Sequence, residues 1–134
     1  MNGKHRNSDD WGTPEWIRSV FDGWDDPCPL GSTGMDGLLR DWGDRTFANI
    51  PYSAPSPWIE KAIAEARRGK RIVLLVRVDT STKWWLKLIQ AGARFACFQG
   101  RVDFVRCDDP NAGGHANIAV ALVFLPYTLG QEGK

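Results

Sequence analysis

No stretch of this chain approaches the roughly 18 consecutive apolar residues of a membrane-spanning helix, and the opening MNGKHRNSDD lacks the apolar core of a secretory leader. These absences predict no membrane partner and a reducing, cytoplasmic setting. Cysteine is scarce. Cys28, Cys97 and Cys107 are an odd number without C-x-x-C spacing, and the two histidines, His5 and His115, lie far apart. A disulfide framework and a zinc site are therefore not expected, and no metal is assigned. Charge of one sign is missing too. With 17 basic against 16 acidic residues the composition does not announce a polyanion ligand, so any nucleic-acid surface has to be a local patch. There is no internal repeat or low-complexity tract, and at 134 residues a single folded domain is expected.

What is present is apolar material: 43% hydrophobic residues with seven Trp, enough for one packed core. Residues 1–8 and 128–134 are polar or Gly-rich and read as frayed tails on a domain spanning 9–127. Thr13 as N-cap with Pro14 at the first helical position, then Trp16, Ile17, Val20 and Phe21, predicts a helix over 14–22. Ser56-Pro57 repeats the signal. Trp58, Ile59, Ala62, Ile63 and Ala66 on one face and Gly69 as the stop predict a helix over 57–68. Arg71 to Val78 is a continuous Val/Leu/Ile run suited to a strand buried on both faces. Asp79 to Thr82 can cap a helix carrying Trp84, Trp85, Leu88 and Ile89 on one face, which makes the two tryptophans core residues before they are a stacking platform.

Thr46–Asn49 and Ile118–Leu125 are further strands, and Arg94–Phe98 with Arg101–Val105 flank Gln99-Gly100 as a hairpin. This order predicts an α/β fold: a mostly parallel sheet with an antiparallel hairpin at its edge and helices on both faces. Ligands of such sheets bind at the carboxyl ends of strands. That rule gathers the segments after residues 25, 49 and 78 around one crevice.

Directly after the short strand stands Asn49-Ile50-Pro51-Tyr52. Alone, it is also what a strand-ending turn looks like. In order around it come Trp11-Gly12-Thr13-Pro14, Asp26-Pro27-Cys28-Pro29, Asp36-Gly37-Leu38, Phe47-Ala48-Asn49, Ser53, Trp58, Asp79 to Trp84 and Gly100 to Phe104. In kind and order this resembles the phage-type DNA N-6-adenine-methyltransferase family, whose motif is [D/N/S]-P-P-[Y/F/W], over about residues 9–125. The resemblance implies a reduced class I (Rossmann-like) methyltransferase, prokaryotic or phage-encoded, that moves a methyl group from S-adenosylmethionine to adenine N6 in DNA.

The chemistry explains the residue types. An adenine amino group is a poor nucleophile because its lone pair is delocalised into the ring, so two acceptors must draw it toward tetrahedral geometry. The resemblance gives that role to the Asn49 side-chain oxygen and the Ile50 carbonyl, with Tyr52 stacking on the flipped base, and counts Pro51 with them in the catalytic motif. No metal or base with an extreme pKa is needed. The family usually has Pro where this chain has Ile50. A carbonyl survives that exchange, whereas the ring that fixes φ does not. The N-I-P-Y spelling also resembles the motif of rRNA adenine dimethyltransferases.

For the methyl donor, Asp26-Pro27-Cys28 followed by Gly31 to Gly34 resembles the D-P-F-x-G-S-G loop, with the glycines displaced, and it also reads as an ordinary Gly/Pro loop. Trp11, Thr13 and Pro14 are the candidates for the other wall, with Thr13 a cap or a ligand to the methionine carboxylate. Only about 18 residues separate Cys28 from Phe47, too few for the strands and the ribose-binding acid of a full methyltransferase sheet. Asp36 is the candidate acid and Asp41 the second, each also readable as a solvated loop residue. Ser53, Thr80, Ser81, Lys83 and Arg101 are candidate substrate contacts, with helix capping and a solvated hairpin as the plainer readings. Arg67, Arg68, Lys70 and Arg71 read as a helix-end cluster suited to the dipole, and His115 as a loop histidine.

The predicted partner is DNA, single- or double-stranded, since flipping is easier from a single strand. Lacking a target-recognition module, the domain has either a loose sequence preference or a homodimer that supplies the missing surface. Two rivals remain: the same chemistry on RNA adenine or a protein amide, and a nucleic-acid-binding protein that has lost catalysis on this fold.

Overall fold

A computed structural model describes residues 11–29, 35–100, 102–106 and 116–127, with backbone alone at 11–12, 35, 102–106 and 116–118. Gly31 to Gly34, Arg101, Cys107, His115 and both tails lie outside the described residues.

A parallel pair of strands positions the site. β2 (Arg45–Asn49) and β3 (Arg71–Arg77) are buried along their interiors and pair in parallel, Arg45 opposite Arg71 and Asn49 opposite Leu75. The crossover between them is α3 (Ser56–Arg67), which buries Trp58, Ile59, Ala62, Ile63 and Ala66 and is followed by Gly69 at φ 96°. That stop needs the left-handed backbone that glycine adopts without strain. After β3, Thr82 caps α4 (Lys83–Gln90): its Oγ1 accepts from the Trp85 N–H at 3.3 Å. The chain continues through β4 (Arg94–Cys97), β5 (Val102–Arg106), β6 (Ala116–Ile118) and β7 (Val120–Phe124).

Two sheets result. The larger has the order β2-β3-β7-β4, and the smaller, β1-β5-β6, is antiparallel and includes β1 (Trp11–Gly12). On one face of the larger sheet α3 and α4 bury Ala48, Ile50, Ile72, Leu74, Val76, Ala121 and Val123 with Trp42, Trp58, Trp84 and Trp85. On the other, α1 (Glu15–Arg18) and the 3-10 turn Ser19–Phe21 place Ile17 and Phe21 on Phe47, Val73, Leu75 and Val120. Phe21 stacks on Phe47 with ring centroids 4.4 Å apart. Helices therefore cover both faces, and Trp84 and Trp85 are core, as expected.

The expected strand pairing is corrected. Only β2–β3 is parallel, and β7 is antiparallel to both β3 and β4, so the sheet is mixed and mostly antiparallel in its pairings. No hairpin joins β4 to β5, which belong to different sheets. The reason is burial. Segment 120–124 is apolar enough for an interior position, while β4, half-buried at Phe95 and otherwise exposed, suits an edge. Gly100, at φ 76°, carries the chain out of the larger sheet instead of folding it back. The single strand expected over 118–125 breaks at Ala119 into β6 and β7.

The helix expected over 14–22 is one α-helical turn and a 3-10 turn. Pro14 precedes it, Thr13 gives no cap, and Trp16 and Val20 are exposed. Ser56 likewise begins α3 without a side-chain cap bond, and Ile89 is exposed rather than on the buried face of α4. No described helix is long and apolar enough to cross a membrane.

Candidate active site

Because β2 and β3 run in parallel, both end at the same edge. A third segment joins them there. The Asp25 N–H donates to the Arg45 carbonyl at 2.8 Å and the Phe47 N–H to the Asp25 carbonyl at 2.9 Å, so Asp25 runs parallel beside Thr46 on the flank of β2 away from β3. Asp26-Pro27-Cys28 consequently emerges level with Asn49. The three segments expected around one crevice do stand side by side.

Asn49 closes β2, and its Nδ2 donates to Thr13 Oγ1 at 2.9 Å, which turns the amide with Nδ2 toward the α1 side and Oδ1 away from it. This is what the Thr13 hydroxyl does in place of capping. Ile50 keeps the hydrogen that proline would lack. Its N–H donates to the Leu75 carbonyl at 3.0 Å, continuing the parallel ladder one residue past β2, while its side chain, 2% exposed, sits in the α3/α4 core. A hydrogen bond and an apolar anchor thus hold the backbone where a ring would.

Beyond it, Pro51 and Tyr52 line a cleft with Ile50, Pro55, Val76, Arg77 and Trp84, holding about 180 Å³ of empty space with its open mouth included. Arg77, the last residue of β3, stands with its guanidinium carbon 5.6 Å from the Tyr52 ring centroid and its Nη2 3.4 Å from Asp79 Oδ2. Sequence reasoning missed Arg77. The available signal was a cation ending a Val/Leu/Ile strand at the crevice end.

The opposite corner is a charge network. Arg40 grips Asp25 with two bonds, 2.8 and 2.9 Å, and the Gly43 N–H donates to Asp25 at 2.8 Å. The Arg40 guanidinium, ahead of the Gly43 N–H, holds the Asp25 carboxyl below its ordinary range. Asp26 moves the other way, pushed up chiefly because surrounding protein withdraws water from its carboxyl, against the pull of the Cys28 N–H it accepts at 3.1 Å. Asp36, in α2 (Met35–Leu39), reaches the Arg40 Nε at 3.5 Å with its side chain 91% exposed. Asp41 instead pairs with Arg68 at 3.1 Å, away from this corner. The Asp25–Arg40 pair was also missed, being a contact across 15 positions of sequence.

α2 reaches this corner through Gly37, where a Cβ would fall 1.9 Å from the Pro27 carbonyl oxygen and 2.8 Å from Trp58. Trp42 Nε1 donates to the Gly37 carbonyl at 2.7 Å. A Gly37→Ala variant therefore has to push α2 off Pro27. Its expected loss is about 1–3 kcal/mol, read as a lower thermal midpoint. A midpoint equal to the parent's would refute the close packing.

Of the substrate-contact candidates, Ser53, Thr80, Ser81 and Lys83 are exposed. Ser81 Oγ donates to Asp79 Oδ1 at 3.2 Å, and Lys83 opens α4. Pro14 and Pro27 are buried beside the site. The side chain of Trp11, like all of Arg101, lies outside the described residues.

A family model described as DNA N-6-adenine-methyltransferase (Dam) matches residues 31–133, which include the whole N-I-P-Y segment. The chain belongs to this family. A DNA N-6-adenine-methyltransferase of Haemophilus phage HP1 (strain HP1c1) is 30% identical to it over 101 residues, 63% of this chain and 58% of the relative. The Dam-family chain thus spans less than two thirds of that relative's length. No solved structure matches it. Trp11, Thr13, Pro14 and Asp26 to Cys28 precede the Dam match; the Thr13–Asn49 hydrogen bond ties Thr13 to the motif, and the run of Asp25 beside β2 ties Asp26 to Cys28 to it.

Proposed function

We propose that this Dam-family chain transfers a methyl group to N6 of adenine in DNA. The observation that carries the reading is the Asn49–Thr13 hydrogen bond, because it orients the amide that the reaction needs. With Nδ2 engaged, Oδ1 is the free end of the amide, and the Ile50 carbonyl follows on a backbone pinned to β3. Two acceptors in that order draw both amino hydrogens of adenine and localise its lone pair. Tyr52 stacks on the flipped base, with Pro51 shaping the cleft, and Ser53, Thr80, Ser81, Lys83 and Arg101 are the proposed contacts to the strand that carries it.

S-adenosylmethionine supplies the methyl group when bound. The corner beside Asn49 suits its methionine end: the Thr13 hydroxyl, bonded to Asn49, and the Asp26 carboxyl with the backbone at Pro27 and Cys28, on the segment beside β2, are the groups proposed to hold it, with Trp11 and Pro14 as the proposed wall. A carboxyl beside a sulfonium and an ammonium is attractive chemistry for a cationic ligand. Asp36, held by Arg40 at the rim, is the acid for the ribose. A reduced class I (Rossmann-like) fold is supported by the direction of β2, β3 and β4, which all point one way, with β7 alone reversed.

The test is mass spectrometry of nucleosides after incubating single- and double-stranded DNA with the protein and S-adenosylmethionine. N6-methyladenine is the expected product. DNA binding without product would favour a non-catalytic binder, and product on RNA alone would move the substrate.

Arg77 belongs to the same reading. Its cation over Tyr52 keeps that ring in place, a contact worth about 1 kcal/mol, so Arg77→Ala should lower kcat/KM for DNA roughly fivefold. Arg77→Lys should recover part of the loss in steady-state kinetics. An alanine variant matching the parent would remove Arg77 from the site.

A further inference from the structure

The carboxyl-end site leaves unused a second polar surface at the opposite end of the larger sheet. Side chains alternate between the faces of a strand, and directly opposed residues share a face. Phe47, Val73, Leu75 and Val120 face α1, with Leu122 packed against them, so Arg45, Arg71 and Phe124 face the same way by alternation. Arg94 joins them because it is paired with Phe124. α1 is only four residues long and covers the middle of this face, so among the described residues the amino ends of β2, β3 and β4 are left exposed.

Arg45 lies opposite Arg71 and Phe124 opposite Arg94, with the second pair set two residues further along because Phe124 faces Val73, so the cations form a staggered band over four neighbouring strands, roughly 14 Å across at the usual strand spacing. All three arginines are exposed, and Phe124 is 39% exposed between them. The Arg71 guanidinium carbon stands 5.3 Å from the ring centroid of Tyr127, itself partly exposed. Among the described residues none of the three arginines pairs with a carboxylate, although Arg18, Arg40, Arg68 and Arg77 all do. Asp44 adjoins Arg45 in the chain and makes no ion pair with it. In a chain whose formal net charge is +1, this is a local concentration of unneutralised cations interleaved with aromatic rings.

We infer that this band is a docking surface for the backbone phosphates of the DNA substrate, separate from the base-binding cleft. The argument is charge complementarity. Planar guanidinium groups without protein partners suit phosphate oxygens, and exposed rings beside them suit sugars or unpaired bases. Arg45 lies four residues before Asn49 on the same strand, about 13 Å away, close to the roughly 12 Å width of a major groove. A nucleic acid held by its backbone on this band keeps neighbouring bases within reach of the motif. A substrate held this way is bound through charge, with little sequence preference. The inference rests on DNA being the substrate.

Phosphate contacts release counterions, so each one adds about 0.9 to the slope of log affinity against log salt for duplex DNA. The experiment is fluorescence anisotropy of a labelled duplex over a salt series, with the parent, R45Q/R71Q/R94Q and R45K/R71K/R94K. The Gln triple should lose about 2 to 3 of that slope and bind at least tenfold more weakly at low salt, while the Lys triple keeps both. Its kcat at saturating DNA should equal the parent's, with only KM for DNA raised. A Gln triple with the parent's slope, or a Lys triple as weak as the Gln triple, overturns the inference and leaves the methyltransferase reading standing. A parent that neither binds nor methylates DNA overturns both.

Discussion

Asn49→Ala should lower the rate of N6-methyladenine formation about 10²–10³-fold, the range seen when one hydrogen-bonding group is removed from a site that stabilises developing charge. The loss should fall on kcat, because the Oδ1 contact matters most as the amine begins to pyramidalise. Folding should survive. Asn49 is half-buried at a strand end, and the side-chain bond it loses is the one to Thr13. Thr13→Val supplies the contrast: it removes the partner of Nδ2 and frees the amide to rotate while keeping its oxygen. Its expected loss is smaller, about tenfold, near 1.4 kcal/mol for one hydrogen bond. Nucleoside mass spectrometry over a time course, beside thermal melting of each variant, measures both. An Asn49→Ala rate within a few-fold of the parent would remove the motif from the chemistry.

Glu65→Gln should destabilise the fold by about 3 kcal/mol, lowering the thermal midpoint by roughly 10 °C. The Glu65 side chain is 2% exposed and meets Lys70 at 2.6 Å, Lys61 at 3.0 Å and Arg68 at 3.4 Å. Removing its charge strands two lysines that are themselves largely buried. Burial works to raise the Glu65 carboxyl, but the hydrogen bonds from Lys70 and Lys61 and from the Trp42 N–H outweigh it, and the net direction is down. A lowered folded-state pKa gives stability that is present above the ordinary value of 4.5 and is lost as pH falls below it. Denaturant titrations from pH 6 to pH 3 should show that loss in the parent and a flatter profile in Glu65→Gln. Equal profiles would show that the pair contributes nothing. The effect should reach the site, because the loop holding Trp42 also carries Arg40 and Gly43, both bonded to Asp25.

The elements legible in the sequence were those whose signal is local and dense. The apolar run of β3, the helical spacing of α3 and the tryptophans of α4 needed no knowledge of the rest of the chain. The N-I-P-Y motif was legible for the same reason, being four adjacent residues after a strand. What escaped depends on distant partners. Gln99-Gly100 is a sound turn signal, yet β7 takes the place beside β4, its apolar run VALVF suiting an interior position. Thr13 reads as a cap until Asn49, 36 positions on, takes its hydroxyl. Arg77 and the Asp25–Arg40 pair carry no signature until folding sets a tyrosine under one guanidinium and a carboxylate against the other.

The position of β7 bears on how the molecule is made. β7 is the last described strand in sequence, yet it is interior in the larger sheet, between β3 and β4. During synthesis β2 and β3 can pair as soon as α3 has emerged, whereas β4 has no partner in that sheet until residues 120–124 leave the ribosome. Most of the chain must therefore wait in an incomplete state with the open flank of β3 unpaired, and the non-local pairing that ends the wait is of the slow kind. Nascent chains halted before residue 120 should stay protease-sensitive, and the full chain should gain protection in one late step.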